Sequence, residues 1–386
     1  MKNSAIHCIF GILILLVSSC SPSVEKSESV DKVLIKESGR TEMLFNSNWR
    51  FFRGDITGAE NADFRDTSWR LKDLPHDWSI EDIPGSQSPF DSAAIGGIDA
   101  GYLVGGTGWY RKTFFVPKEI KDKNFRILFD GIYMNSDVWI NGTYLGNHPY
   151  GYTAFSYDLT PWILAGSENT LSVKVKNEGR SSRWYSGSGI YRQVYLIVTG
   201  PVSVNLWGHC ITTSEVSESS AKISISTDIS NTSGSDQNII LKSKIVDRRG
   251  KVVAEINSQP SLLMSDNQKV IQEISLNNPE LWSVDDPALY TAITEIQQVN
   301  NGETTKILDQ SESVFGIRYF SISLTDGFSL NGKPLKLKGG NMHHDNGPLG
   351  SAAFTRAEER RVELMKASGF NAIRCSHNPP SKSFLD

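Results

Sequence analysis

Cysteine is scarce in this sequence of 386 residues, with four in all. Only Cys210 and Cys375 remain once the N-terminal segment is set aside, and they fall in different parts of the fold expected below. That spacing excludes a disulfide framework. No CxxC or HExxH occurs, which excludes zinc sites of those types, and no metal or other cofactor is expected. An excess of positive charge is also missing. Lys and Arg number 39 against 43 Asp and Glu, for a net charge of −4. A nucleic-acid partner wants a basic face, so none is expected. Long apolar runs are absent apart from Ile9 to Val17, which is too short to cross a bilayer.

That one run is informative by its position. Lys2 supplies a positive charge ahead of it, and it leads into "LVSSC", with Cys20 after two small residues. The pattern resembles a bacterial lipoprotein signal, in which Cys20 becomes the lipidated first residue. Residues 1–20 are therefore expected to be a signal peptide and 21–42 a flexible polar tether. The expected location is the cell envelope, periplasmic or surface-exposed, with the membrane engaged through a lipid anchor.

Tryptophan is abundant, with nine residues, seven of them from Trp49 to Trp184. Tryptophan faces can stack on sugar rings, but most of these are expected to be core or loop anchors. From Met43 to about Val198 no long helix pattern interrupts the chain. "FRILFDG" (125–131), "SDVWINGTYLG" (136–146) and "NTLSVKVKN" (169–177) alternate apolar and polar residues. Val138 and Ile140 face one way and Trp139 the other, and Asn141-Gly142 is a strong hairpin signal. The expectation over 43–199 is an antiparallel β-sandwich of jelly-roll type. From 200 to 318 alternation continues through Ile223, Ile225 and Ile229, then Ile274 and Leu276. Several strands over ~100 residues suggest an immunoglobulin-like sandwich, without the Cys…Trp…Cys signature of antibody domains.

The period changes after Phe320. A hairpin is expected around Asn331-Gly332, then a strand over Leu335 to Lys338 and a loop, "NMHHDNGPLGSAA". Thr355 and Glu358 form an expected capping box for a helix whose apolar face holds Val362, Leu364 and Met365, with Gly369 as its C-terminal cap. The next strand is "FNAIRC". Strand, loop, helix, strand, loop over 319–386 begins a parallel α/β unit. The fold class expected is thus multidomain and mostly β: jelly roll, immunoglobulin-like sandwich, and the first βα units of an incomplete (β/α)8 barrel.

In such a barrel the active site lies at the C-terminal ends of the strands. The first end carries Asn341, His343, His344 and Asp345, and the second Arg374, His377 and Asn378. Loops after neighbouring strands should open on one face. Together these side chains supply the fixed donors and acceptors that sugar hydroxyls require.

A series of motifs sharpens this reading. "LPHDWSIE" (74–81), "GGTGWYRKTFFVP" (105–117), "DGIYMNSDVWINGTYLG" (130–146), "SSRWYSGSGIYRQVYL" (181–196), "NPELWSVDDPALY" (278–290), "FGIRYF" (315–320) and "SHNPPS" (376–381) follow one another. In that order they resemble the N-terminal part of a family 2 glycoside hydrolase, nearest to the β-galactosidase-like members. The match runs from about 43 to 386. The resemblance implies a jelly-roll sugar-binding domain, an immunoglobulin-like sandwich and a catalytic barrel. It also implies retaining hydrolysis of an oligosaccharide or β-glycoside by two glutamates. By resemblance, His343, Arg374, His377 and Asn378 line the innermost sugar site, and Arg183 and Trp184 sit on a jelly-roll loop leaning over the barrel mouth.

The sequence also departs from the family pattern. Both family glutamates belong to strands later than Asp386, so these residues include no catalytic one and are expected not to hydrolyse anything by themselves. The alternative is a non-catalytic carbohydrate-binding remnant. "NMHHD" stands where many members have Arg and Glu around the first His, so no contact is carried over for Met342 or His344. The loop from Ser79 to Gly101 is long and polar. Galactose, glucuronic acid and mannose all stay open as the sugar, as does the oligomeric state.

Overall fold

The computed structural model describes residues 31–33, 39–180, 183–264 and 266–386. The expected signal peptide, Cys20 and much of the expected tether lie outside them. Among the described residues no helix is long and apolar enough to cross a membrane.

The N-terminal sandwich is set by alternation and tight turns. Asn141 and Gly142 take φ of 50° and 82°, which lets the strands Ser136–Ile140 and Thr143–His148 fold back on each other. Val138 and Ile140 are fully buried, while Trp139 on the other face stacks on Trp109 at 5.3 Å. One sheet is built on the long strands Gly106–Val116 and Ser167–Asn177, the other on Asn124–Phe129 and Val194–Thr199. Trp49, Phe51, Phe114, Phe129, Val173 and Leu196 fill the space between them, each worth ~1.5–3 kcal/mol of burial. Trp49, Trp69, Trp78 and Trp109 are buried, as core anchors should be.

The expected tether of 21–42 needs correction. Asp31–Lys32 lies parallel to Gly106–Val116, and Val33 is 2% exposed within the core. Buried Lys112 pairs with Asp31. Farther on, Thr41–Leu44 is a strand, and Arg40 pairs with buried Asp309 at 2.9 Å. Local polarity concealed these anchors because their partners lie far away in the chain.

The second sandwich packs a sheet of Val202–Ser214, Ser220–Asn231 and Asn267–Asn277 on one built around Gln237–Val246 and Tyr290–Asn300. Ile223, Ile225 and Ile229 point inward as their spacing requires. A buried polar chain, Gln272 to Ser243 (2.7 Å), Thr294 (2.8 Å) and His209 (3.0 Å), accompanies its apolar clusters.

The last segment departs from expectation in two places. Leu335–Lys338 is not a strand: the amide of Leu335 prolongs the preceding hairpin by donating to the Phe328 carbonyl at 2.8 Å. The parallel strand is instead Gly339–Met342, paired with Ala372–Cys375. The capping box does not form either. Phe354 occupies the N-cap of the helix Thr355–Ala367 with extended backbone. Thr355 Oγ1 accepts from Gln193 Nε2 at 3.2 Å, and Glu358, 3% exposed, accepts from Asn346 Nδ2 at 2.7 Å. Both side chains are spent on tertiary contacts. The C-terminus behaves as expected. Gly369 has φ of 84°, and the amides of Gly369 and Phe370 donate to Lys366 and Met365 at 3.0 and 3.1 Å, a Schellman cap. Of the expected apolar face, Val362 and Met365 are half-buried and Leu364 is exposed.

Candidate functional site

The parallel pair fixes the site. Asn341 stands opposite Arg374 and Met342 opposite Cys375, so the two loops leave the strands at the same level. His343 and His377 then meet with ring centroids 5.8 Å apart. Trp184, arriving from the jelly roll, closes a triangle of rings at 5.3 Å from His343 and 5.5 Å from His377. All three contacts are edge-to-face, the favoured aromatic geometry.

Arg374 Nη1 lies 3.1 Å from His377 Nδ1 and 3.4 Å from Asn341 Oδ1. A guanidinium can only donate, so Nδ1 accepts, which places the proton of neutral His377 on Nε2. Asn378 Oδ1 accepts from the Tyr150 hydroxyl at 2.8 Å, while its buried Nδ2 and His343 Nδ1 have no partner among the described residues. Buried polar atoms are rarely left so. Arg183 is exposed beside Trp184, and the close contacts pass through Trp184.

His344, adjacent in sequence, does a different job. Its Nε2–H donates to the Ser186 carbonyl at 2.9 Å, and its ring lies edge-on to Tyr152 (5.1 Å) and Tyr191 (5.8 Å). Burial pushes its pKa down to about 4. An unfolded histidine titrates near 6.5, so between those values only the unfolded chain takes up the proton. The stability held by neutral His344 is therefore complete above pH ~6.5 and falls as pH drops towards 4, by up to about 3 kcal/mol. Thermal unfolding from pH 7 to 4.5 should show a steeper loss for the wild type than for His344→Phe. Equal slopes would remove this role.

The seam joining these loops to the jelly roll escaped the sequence reading. Asp77 is 2% exposed and accepts six hydrogen bonds. They come from Ser79 N and Oγ (3.0 and 2.6 Å), Ser188 N (2.9 Å), the Tyr185 hydroxyl, and Ser351 N and Oγ (2.9 and 3.0 Å). Burial and the neighbouring Asp77 charge push the Tyr185 phenol far up, so it stays a donor. Gly187 and Gly350 give the room: a Cβ at either would lie within 3 Å of Asp77 Oδ2. On the far side of the site, buried Arg192 donates to the carbonyls of Pro379 (2.8 Å) and Tyr152 (3.1 Å), so the "HNPP" turn is held from the jelly roll. The motifs 74–81 and 181–196 were visible in the sequence, but the roles of Asp77, Tyr185 and Arg192 were not.

Three family models match in order: glycosyl hydrolases family 2, sugar binding domain, over residues 98–200; glycosyl hydrolases family 2 over 206–318; and glycosyl hydrolases family 2, TIM barrel domain, over 322–386. The chain belongs to glycosyl hydrolases family 2. Family 2 enzymes hydrolyse O-glycosyl bonds. The beta-galactosidase BoGH2A of Bacteroides ovatus is 44% identical over 350 residues, which cover 90% of this chain and 40% of that protein. A beta-glucuronidase of Formosa agariphila is 31% identical, covering 92% of this chain and 37% of that one. The crystal structure of a family 2 member from Bacteroides cellulosilyticus superposes with a TM-score of 0.85 at 44% identity, covering 89% of this chain and 44% of that one. The chain spans about two fifths of the length of these relatives.

Proposed function

We propose that this chain forms the sugar-recognition half of a retaining family 2 β-glycosidase acting on terminal β-linked sugars, with galactose as the sugar. The supporting observation is the triangle of His343, His377 and Trp184, which adjoins Arg374 and Asn378 at the ends of two adjacent parallel strands. His343, His377, Arg374 and Asn378 offer ring and head-group donors to hydroxyls. Trp184 offers a flat apolar edge, and Arg183 flanks the entrance. The identity of 44% to a β-galactosidase, against 35% to a putative β-glucuronidase and 31% to a β-glucuronidase, both of Formosa agariphila, favours galactose.

The two carboxylates of retaining chemistry, ~5–5.5 Å apart, are assigned to other strands of the barrel. Within this segment Glu358 is engaged by Asn346 and Arg361, and Glu359 and Glu363 pair with Arg356 on the helix surface. A longer protein carrying this chain, screened against aryl β-galactoside, β-glucuronide and β-mannoside, should turn over the galactoside fastest. Fastest turnover of the glucuronide would replace galactose in this assignment.

The lipid anchor at Cys20 is part of the same proposal and rests on "LVSSC" after a short apolar run. Expressed in a Gram-negative host, the protein should sediment with membranes, and Cys20→Ser should shift it to the soluble fraction. Equal sedimentation of both forms would remove the anchor.

A further inference from the structure

The three-stranded sheet of the second sandwich has two unlike edges. At one, Val202–Ser214 breaks register between Val204 and His209, and Trp207 protrudes there with φ of 59°. A bulge of that kind blunts an edge. At the other, Asn267–Asn277 is eleven residues long, contains no proline and pairs with Ser220–Asn231 without a break in register. Among the described residues no strand pairs with its free side. A long, regular edge is a ready template for another strand.

The side chains on the outer face of this edge are patterned. Ile271 is 63% exposed, an unusual place for a large aliphatic side chain on a free edge. Lys269 stands two residues before it and Glu273 two residues after it, both exposed on the same face. Each is tied to the neighbouring strand, Lys269 to Asp228 at 3.6 Å and Glu273 to Lys222 at 3.0 Å. The edge is therefore an apolar centre with opposite charges at equal spacing on its two sides.

We infer that this edge pairs antiparallel with the same edge of a second copy of the chain, about a two-fold axis at Ile271. That axis sets Ile271 opposite Ile271, and Lys269 of each copy opposite Glu273 of the other. The outer face of the joined sheet then carries charges that alternate in sign: Asp228 and Lys269 of one copy, Glu273 and Lys222 of the next. A slip of two residues would set a charge against Ile271, and a slip of one would turn the outward face inward, so a single register is selected. Backbone hydrogen bonds supply the attraction, while the charges choose register and partner. One strand from each copy makes a small interface, so the association is micromolar.

Sedimentation velocity tests this on the 386-residue chain carrying Cys20→Ser, with reductant present to keep exposed Cys210 from crosslinking. The chain should run as a dimer that dissociates on dilution through the micromolar range. Lys269→Glu opposes glutamates at both symmetric contacts, and Glu273→Lys opposes lysines. Each variant alone should dimerise at least ~10-fold more weakly. Their equimolar mixture restores unlike charges at both contacts and should recover the dimer, which also shows that both variants fold. Ile271→Asp should stay monomeric alone and in mixture with either. A wild type that is monomeric at ~100 μM overturns the inference. So does a mixture that stays monomeric. A dimer that survives both charge reversals overturns it as well, and would be held by another surface such as exposed Phe320 and Ile322.

Discussion

Incubated with nitrophenyl β-galactoside at any pH, the 386-residue chain should release no nitrophenol above buffer background. Retention requires an acid on the leaving oxygen and a nucleophile on the anomeric carbon, and general acid catalysis alone is worth ~10²–10⁴-fold. The groups that converge here are two histidines, an arginine, an asparagine and a tryptophan. They can position hydroxyls, but Asp345 alone cannot be both acid and nucleophile in one step. In a longer protein that supplies the carboxylates, His377→Ala and Arg374→Ala should each lower kcat/KM by ~10–100-fold. That is the ~1.5–3 kcal/mol expected for a lost hydrogen bond involving a charged or strongly polarised partner. The two losses should be less than additive, since Arg374 fixes the His377 tautomer through the 3.1 Å contact. In the 386-residue chain the same substitutions should change nothing measurable. Turnover by that chain, abolished by His377→Ala, would show that carboxylates reach the site by a route absent from this account.

What could be read from sequence followed the range of each interaction. The Asn141-Gly142 and Asn331-Gly332 turns and the Gly369 cap depend on neighbours within a few residues, and all three form. Alternation through Ile223, Ile225 and Ile229 placed those side chains inward for the same reason. The failures all involve distant partners. Thr355 and Glu358 have the spacing of a capping box, yet Gln193 and Asn346 hold them. Lys338 looks like the end of a strand, but Asn371 takes its amide at 2.7 Å and the parallel pairing begins one residue later. His343 and His344 are indistinguishable as a pair of letters. Strand geometry sends one ring to Trp184 and the other between Tyr152 and Tyr191. Tyr150, which holds Asn378, gave no local signal at all.

The same distance rule governs how the barrel segment is held. Phe320, Ile322 and Leu324, on the antiparallel hairpin and its turn, and Leu337, in the link to the parallel pair, are exposed. The loops at the site are different, because buried Ser351 and Ala353 bond to Asp77 and Tyr191 of the jelly roll, and Pro379 to its Arg192. Protease should therefore cut first near 320–338, while 343–353 and 376–381 resist despite being loops. That resistance comes from side chains of the first sandwich, Asp77 and Arg192 above all.

Asp77→Ala should accordingly be the most damaging single substitution outside the two sandwich cores. It removes an acceptor of six hydrogen bonds and leaves the amides of Ser79, Ser188 and Ser351 without partners in a dry seam. Breaking a buried charged network by deleting one member costs ~3–5 kcal/mol. Asp77→Asn should lose nearly as much, because an amide nitrogen at the Oδ2 position would face the Ser351 amide N–H, donor against donor. Ser351→Ala removes one hydroxyl bond and should cost only ~1 kcal/mol. The loss should appear at the seam before it appears in the sandwiches. Protease should gain sites within 343–353, and Trp184 fluorescence should change as His343 moves away, while far-UV dichroism stays that of a β protein. Sugar binding should fall along with it, because Ser186 and Trp184 lie just before the Gly187–Ser188 turn that Asp77 holds. If Asp77→Ala keeps 343–353 protected and melts within 1 °C of the wild type, the seam is held by Arg192 and packing instead, and Asp77 is only a local cap for the turn at Trp78–Ile80.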